Sequence, residues 1–188
     1  MNKQKKILLL IFLIVPLVQL AAQDIFSDSL TSFHQNRMNI NESAMLVLGG
    51  WAAGNILVGT YGNFKANGKA KYFHQFNAIW NVVNLGIAAF GYFNAVNSDP
   101  ATMTNLENLN DYTSLQSFLL LNAGLDVAYI MTGFYLKERA KNSANAERLR
   151  GYGNSLLLQG GFLLVFDVAL YFIHQSNADI NLYPHLES

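Results

Sequence analysis

Two carboxylates stand alone in apolar surroundings. Asp126 is the single charge in residues 112–136, and Asp167 is the single charge in residues 151–178. Carboxamides recur near them at helical spacing. Asn55 stands by itself; Asn77, Asn81 and Asn84 follow at i, i+4 and i+7. Asn122 lies four residues before Asp126, with Tyr129 three beyond it, and Gln159 lies eight before Asp167. Residues at these spacings share a helix face. An aspartate at the centre of a bilayer-spanning helix costs about 2.5–3.5 kcal/mol on insertion scales, so such stripes are expected to face inward.

Three kinds of chemistry fit this set. The carboxamides and carboxyls can serve as interhelical hydrogen bonds, each worth roughly 0.6–2 kcal/mol in a membrane. They can form a polar ligand pocket. Or Asp126 and Asp167 can handle a proton or a cation, the default reading of an intramembrane acid. No Lys or Arg lies in these stretches. Each aspartate therefore either keeps its proton and donates it to an amide carbonyl, or is ionised against a cation or water. With a rise of ~1.5 Å per residue, Asp126 and Asn84 fall near mid-span, and Asn55, Asn81 and Gln159 fall toward the 64–73 loop. One cluster of Asp126, Asn122, Asn84 and Gln159 is expected, with Asp167 above it.

Other chemistries find no support. The chain has no cysteine, hence no disulfide and no thiolate nucleophile or ligand. It has no HExxH or GxSxG. His74 and His174 fall at opposite ends of the spans and cannot ligate one haem. His34, His174 and His185 share a side but lack metal-ligand spacing, and surface or interfacial positions are expected for them. Gly151-Tyr152-Gly153 follows no strand and precedes no GK[ST], so it is not a phosphate loop. No metal, cofactor or catalytic residue is assigned, and an enzyme is not expected.

The elements that carry these residues follow from composition. Charged residues are 13% of the 188, against about 25% in an ordinary soluble domain, and hydrophobic residues are 52%. Basic and acidic residues balance at 12 each, which excludes a basic nucleic-acid binder and an acidic disordered chain. Residues 43–64 and 72–98 hold no charge, and the stretches around Asp126 and Asp167 hold one each. Roughly 20 helical residues cross a bilayer core. Four spans are predicted, at about 44–63, 74–96, 114–136 and 153–174. A soluble bundle would need a Lys/Glu-rich stripe on each helix, and none is present.

Lys3, Lys5 and Lys6, the apolar run 7–20 and Ala21-Ala22 read as a cleavable signal peptide over residues 1–22. Segment 23–43, with Phe26, Leu30 and Phe33 at helical spacing, is expected to lie on the membrane interface. Ser98-Asp99-Pro100 is a helix-start signal. Loops 64–73 and 137–152 carry Lys65, Lys69, Lys71, Lys137, Arg139, Lys141, Arg148 and Arg150, whereas the segments on the other side hold only Arg37. The positive-inside rule then puts both basic loops in the cytoplasm, and the mature N-terminus and the 176–188 tail in the periplasm. Tyr61, Tyr72, Tyr92, Tyr112, Tyr135, Tyr152 and Tyr171 sit near the predicted span ends, as an interfacial belt requires. Gly50 and Gly54 form a GxxxG on the first span. Gly86 with Gly91, and Gly160 with Gly161, extend the set of small residues that permit close helix packing.

Three stretches carry a resemblance: Gly49-Gly50-Trp51 through Asn55, LNAGLDVAYIMTGFYLKER at 121–139, and GYGNSLLLQGGFLLVFD at 151–167. Together they resemble an uncharacterised family of small four-span membrane proteins from Bacteroidota, over residues 25–175. A signal peptide ending in Ala-Gln is typical of that phylum. The resemblance implies fold and membrane residence, without an assigned activity, and its motifs include Asn122, Asp126, Gln159 and Asp167.

The expected molecule is all-α: an antiparallel four-helix membrane bundle over residues 44–175 in a bacterial inner membrane. Its expected role is structural or partner-binding, with the bilayer and a membrane protein or a second copy as partners. The alternatives are a small ion or proton transporter using Asp126 and Asp167, or a binder of a lipid- or quinone-like ligand.

Overall fold

The computed structural model describes residues 3–185, with side chains described from 30 to 184. Four long helices make up the chain: α1 (Lys3–Lys65), α2 (Gly68–Asn97), α3 (Asn105–Arg139) and α4 (Ala146–Asn181). Short 3-10 turns at Pro100–Thr102, Ala140–Asn142 and Tyr183–His185 complete it, and the described residues contain no strand. From residue 30 onward all four helices are long and apolar enough to cross a membrane.

Residues 23–43 are continuous with the first predicted span rather than a separate helix. Between Pro16 and Gly49 the sequence has neither Pro nor Gly, so nothing breaks the hydrogen-bond ladder at residue 43. The side chains of the expected signal peptide lie outside the described residues.

The turns follow local chemistry. α1 and α2 are joined through Ala66 and Asn67, and Gly68 takes φ +58, a conformation that a Cβ disfavours. Before α3, Asp99 caps the Pro100 turn by accepting from Ala101 N–H at 3.0 Å, as the Ser-Asp-Pro signal predicts. Thr104 and Glu107 then form a capping box, with Thr104 N–H donating to Glu107 Oε2 at 2.8 Å.

The interior holds many polar side chains among its apolar ones, and the outside is apolar. Leu57 is 73% exposed and Phe90 72%, while Asn81 and Gln159 are fully buried. This inversion is the opposite of a water-soluble bundle. α1 packs along α2, α2 along α4, and α3 along α4; α2 and α3 share no extended contact.

Glycines set the close approaches. A Cβ on Gly133 would lie 2.9 Å from Gly153 O, and one on Gly153 would lie 2.7 Å from Gly133 O. Gly160 likewise faces Asp126 O at 3.0 Å, and Gly151 faces Lys69 O at 2.5 Å. Gly50, Gly54, Gly86 and Gly161 would meet no described atom within 4 Å. The GxxxG of α1 is therefore not a packing motif within the chain. The contacts to α2 come from the next turns, at Gly59 and Gly62.

Where α1, α3 and α4 run past the bundle at the end opposite the basic loops, Leu30, Phe33, Tyr112, Ala178 and Leu182 form a small apolar core. Phe33 meets Tyr112 edge to face at 5.2 Å, and Asn177 Nδ2 donates to Phe33 O at 3.0 Å.

Candidate functional site

The polar residues fall into two zones. The first is a closed ring of hydrogen bonds joining α1, α2 and α4. Trp51 Nε1 donates to Gln159 Oε1 at 3.1 Å, and Gln159 Nε2 donates to Asn77 Oδ1. Asn77 Nδ2 donates to Asn55 Oδ1 at 2.8 Å, and Asn55 Nδ2 returns to Trp51 O at 2.8 Å. The Trp51 indole lies flat on Phe162, 3.9 Å between centroids and 5° from parallel. Asn81 Nδ2 adds a bond to Asn77 O at 2.8 Å, and Asn84 Nδ2 reaches Asn81 Oδ1 at 3.4 Å. Trp51, Asn55, Asn77 and Gln159 find partners in one another, the arrangement that stabilises helix contacts.

The second zone is a cleft of about 940 Å³ between α2 and α3. It exists because those two helices stand apart while α1 and α4 close the back. Trp80 and Tyr129 meet edge to face at 4.8 Å across its end nearest the basic loops. Asn84, Asn122, Asp126 and Asp167 supply a polar wall, and Val83, Ile87, Phe90, Leu115, Phe118 and Leu125 an apolar one. Arg37, Asn94, Ser98 and Asp111 ring the other end. The size suits a lipid-scale molecule, and the lining suits one with both apolar and polar parts.

Asp126 is 3% exposed, and no amide, hydroxyl or cationic side chain among the described residues bonds its Oδ2. The group facing it is the Asp167 carboxyl, close enough for a hydrogen bond between the two. Two facing carboxyls in a low-dielectric site hold a proton between them or a cation beside them.

The single expected cluster is thus divided. Asn55, Asn81 and Gln159 belong to the ring. Asn122, Asp126, Tyr129 and Asp167 belong to the cleft, and Asn84 touches both. The reason lies in helix geometry. Eight residues turn a helix about 80° past two full turns, enough to aim Gln159 at α1 and α2 while Asp167 faces the cleft.

His34 and His174 also depart from expectation. Instead of lying at a surface, they are buried, at 2% and 0% exposure. His174 Nε2 lies 2.9 Å from Asn41 Oδ1. No group that could hold a metal occurs among the described residues, and the His185 side chain lies outside them.

Sequence reasoning left Trp80 and Arg37 out of the site. Arg37 stood out as the lone basic residue on its side, a signal read there only for orientation.

A family model matches residues 47–168. The chain belongs to DUF6992, a family of unknown function. The DUF6992 match takes in the whole hydrogen-bonded ring, the Trp80–Tyr129 contact and both aspartates, and it ends before His174. No curated protein and no solved structure matches the chain.

Proposed function

We propose that this DUF6992 protein is a four-span protein of a bacterial inner membrane, in a Bacteroidota-type host. Its α2–α3 cleft holds a membrane amphiphile. The observation that carries this reading is the cleft itself, with a polar wall of buried carboxyls and carboxamides and an apolar wall continuous with the lipid-facing surface. A laterally open slot of this kind admits a molecule from the bilayer without passage through water. The basic loops support an orientation with the Trp80–Tyr129 floor toward the cytoplasm and the Arg37 end toward the periplasm. The hydrogen-bonded ring fills the structural role and leaves the aspartates free for a ligand.

A phospholipid with a photoactivatable diazirine in its acyl chain tests this in reconstituted bilayers. Crosslinks are expected to concentrate on residues 83–90 and 115–125. Even labelling of the outward Leu57, Val165 and Phe172, with none in the cleft, would overturn the reading.

The facing carboxyls of Asp126 and Asp167 favour a second reading, proton or cation handling. Flux across proteoliposomes that disappears in Asp167→Asn would support it. Equal flux in wild type and variant would remove it.

A further inference from the structure

Arg37 sits at the far end of the cleft in an unusual state. It is 3% exposed, and its Nε is buried without a hydrogen-bond partner among the described residues. Among the described residues its one side-chain bond runs from Nη2 to Asn108 Oδ1 at 3.3 Å, near the limit of hydrogen bonding. Asp111 lines the same end and lies close enough to interact electrostatically, yet no ion pair within 4.0 Å joins it to Arg37. A guanidinium offers five donors, and burying one without an anion is costly. The neighbours behind it are no help. His34 and His174 are also buried, and an imidazole supplies no negative charge.

The rest of the cleft says what the anion is attached to. Below Arg37, beside the polar groups of Asn84, Asn122, Asp126 and Asp167, runs an apolar lining of Leu115, Phe118, Ile87 and Phe90 that leads toward the Trp80–Tyr129 floor. A small anion alone would leave most of the 940 Å³ unfilled.

We propose that the amphiphile is anionic, its phosphate or carboxylate seated on the Arg37 guanidinium and its alkyl chain laid along the slot below. This rests on the cleft-binding reading above and adds the chemistry of the head. The fork geometry of arginine matches two oxygens of either group, and Asn41 and Ser98 line the same end as further polar partners.

Native mass spectrometry of the full chain in detergent provides the test. The probes are dioleoyl phosphatidylglycerol, uncharged dioleoylglycerol and free glycerol phosphate. The phosphatidylglycerol is expected to bind about tenfold or more tightly than dioleoylglycerol, the scale of a charge-assisted pair. Arg37→Gln is expected to abolish the preference, and Arg37→Lys to keep part of it. Asp111 is exposed, so Asp111→Asn leaves the fold alone and is expected to tighten phosphatidylglycerol severalfold by removing a competing charge. If both diacyl probes bind alike in wild type and in Asp111→Asn, the anionic head is wrong while the cleft reading stands. If neither diacyl probe binds, the cleft reading itself falls. If glycerol phosphate matches phosphatidylglycerol, the site takes a free anion and the proposal is overturned.

Discussion

Trp80 and Tyr129 meet edge to face, 4.8 Å between centroids, and so bridge two helices that otherwise stand apart. The pair sets where the cleft ends. An aromatic pair contributes about 0.5–1.5 kcal/mol beyond its buried area. Tyr129→Ala is therefore expected to lower stability by about 1 kcal/mol or more, measured by SDS titration followed by circular dichroism. It is also expected to lengthen the cleft. A variant as stable as wild type would show that the contact does not hold α2 to α3.

In the ring through Trp51, Gln159, Asn77 and Asn55, Gln159 and Asn77 each both accept and donate between helices. Gln159 accepts from Trp51 and donates to Asn77. Interhelical bonds in membranes average about 0.6 kcal/mol and reach about 1.7. Gln159→Leu breaks two and leaves buried partners unpaired, so a loss of about 2 kcal/mol is expected in the same titration. A loss below about 0.5 kcal/mol would mean that the ring contributes little.

The glycines separate into those that touch and those that do not. Gly153→Ala places a methyl 2.7 Å from Gly133 O and is expected to cost about 1–3 kcal/mol as α3 and α4 are forced apart. Gly161→Ala, with no described atom within 4 Å, is expected to be neutral or to stabilise by up to about 1 kcal/mol through helix propensity. Equal effects of the two would contradict the packing.

Access to the two polar zones is expected to differ. The chain has no cysteine, so single cysteines report cleanly. Asn122 lines the cleft, whereas Asn81 is fully buried in the ring zone. Asn122→Cys is expected to react with N-ethylmaleimide far faster than Asn81→Cys, since a thiol must be reachable to react. Similar rates would mean that the two zones are not distinct.

The four helices were legible because hydropathy and charge are local properties. The stretches with no charge or a single one marked the four long apolar helices, and Ser98-Asp99-Pro100 marked the turn before α3. The division of the polar residues was not legible, because it depends on which neighbour each helix face meets. Gln159 and Asp167 read as one stripe at a spacing of eight, and a rotation of about 80° separated them. The GxxxG at Gly50 and Gly54 has the right spacing on the wrong face. Arg37 shows the same limit. Its isolation was visible, but its burial depends on α1 continuing past residue 43 to pack against α3 and α4, and no local signal carries that contact.

The central claim is that the α2–α3 cleft holds an amphiphile, and co-purified lipid tests it most directly. Gly86 lines the cleft and a Cβ there would meet no described atom within 4 Å, so Gly86→Phe is expected to project into the slot. Lipid would be extracted from wild type and variant purified in the same mild detergent and counted per chain by mass spectrometry. The account predicts about one tightly held lipid per wild-type chain and its loss in Gly86→Phe, with thermal stability unchanged. The same lipid content in both proteins would contradict it.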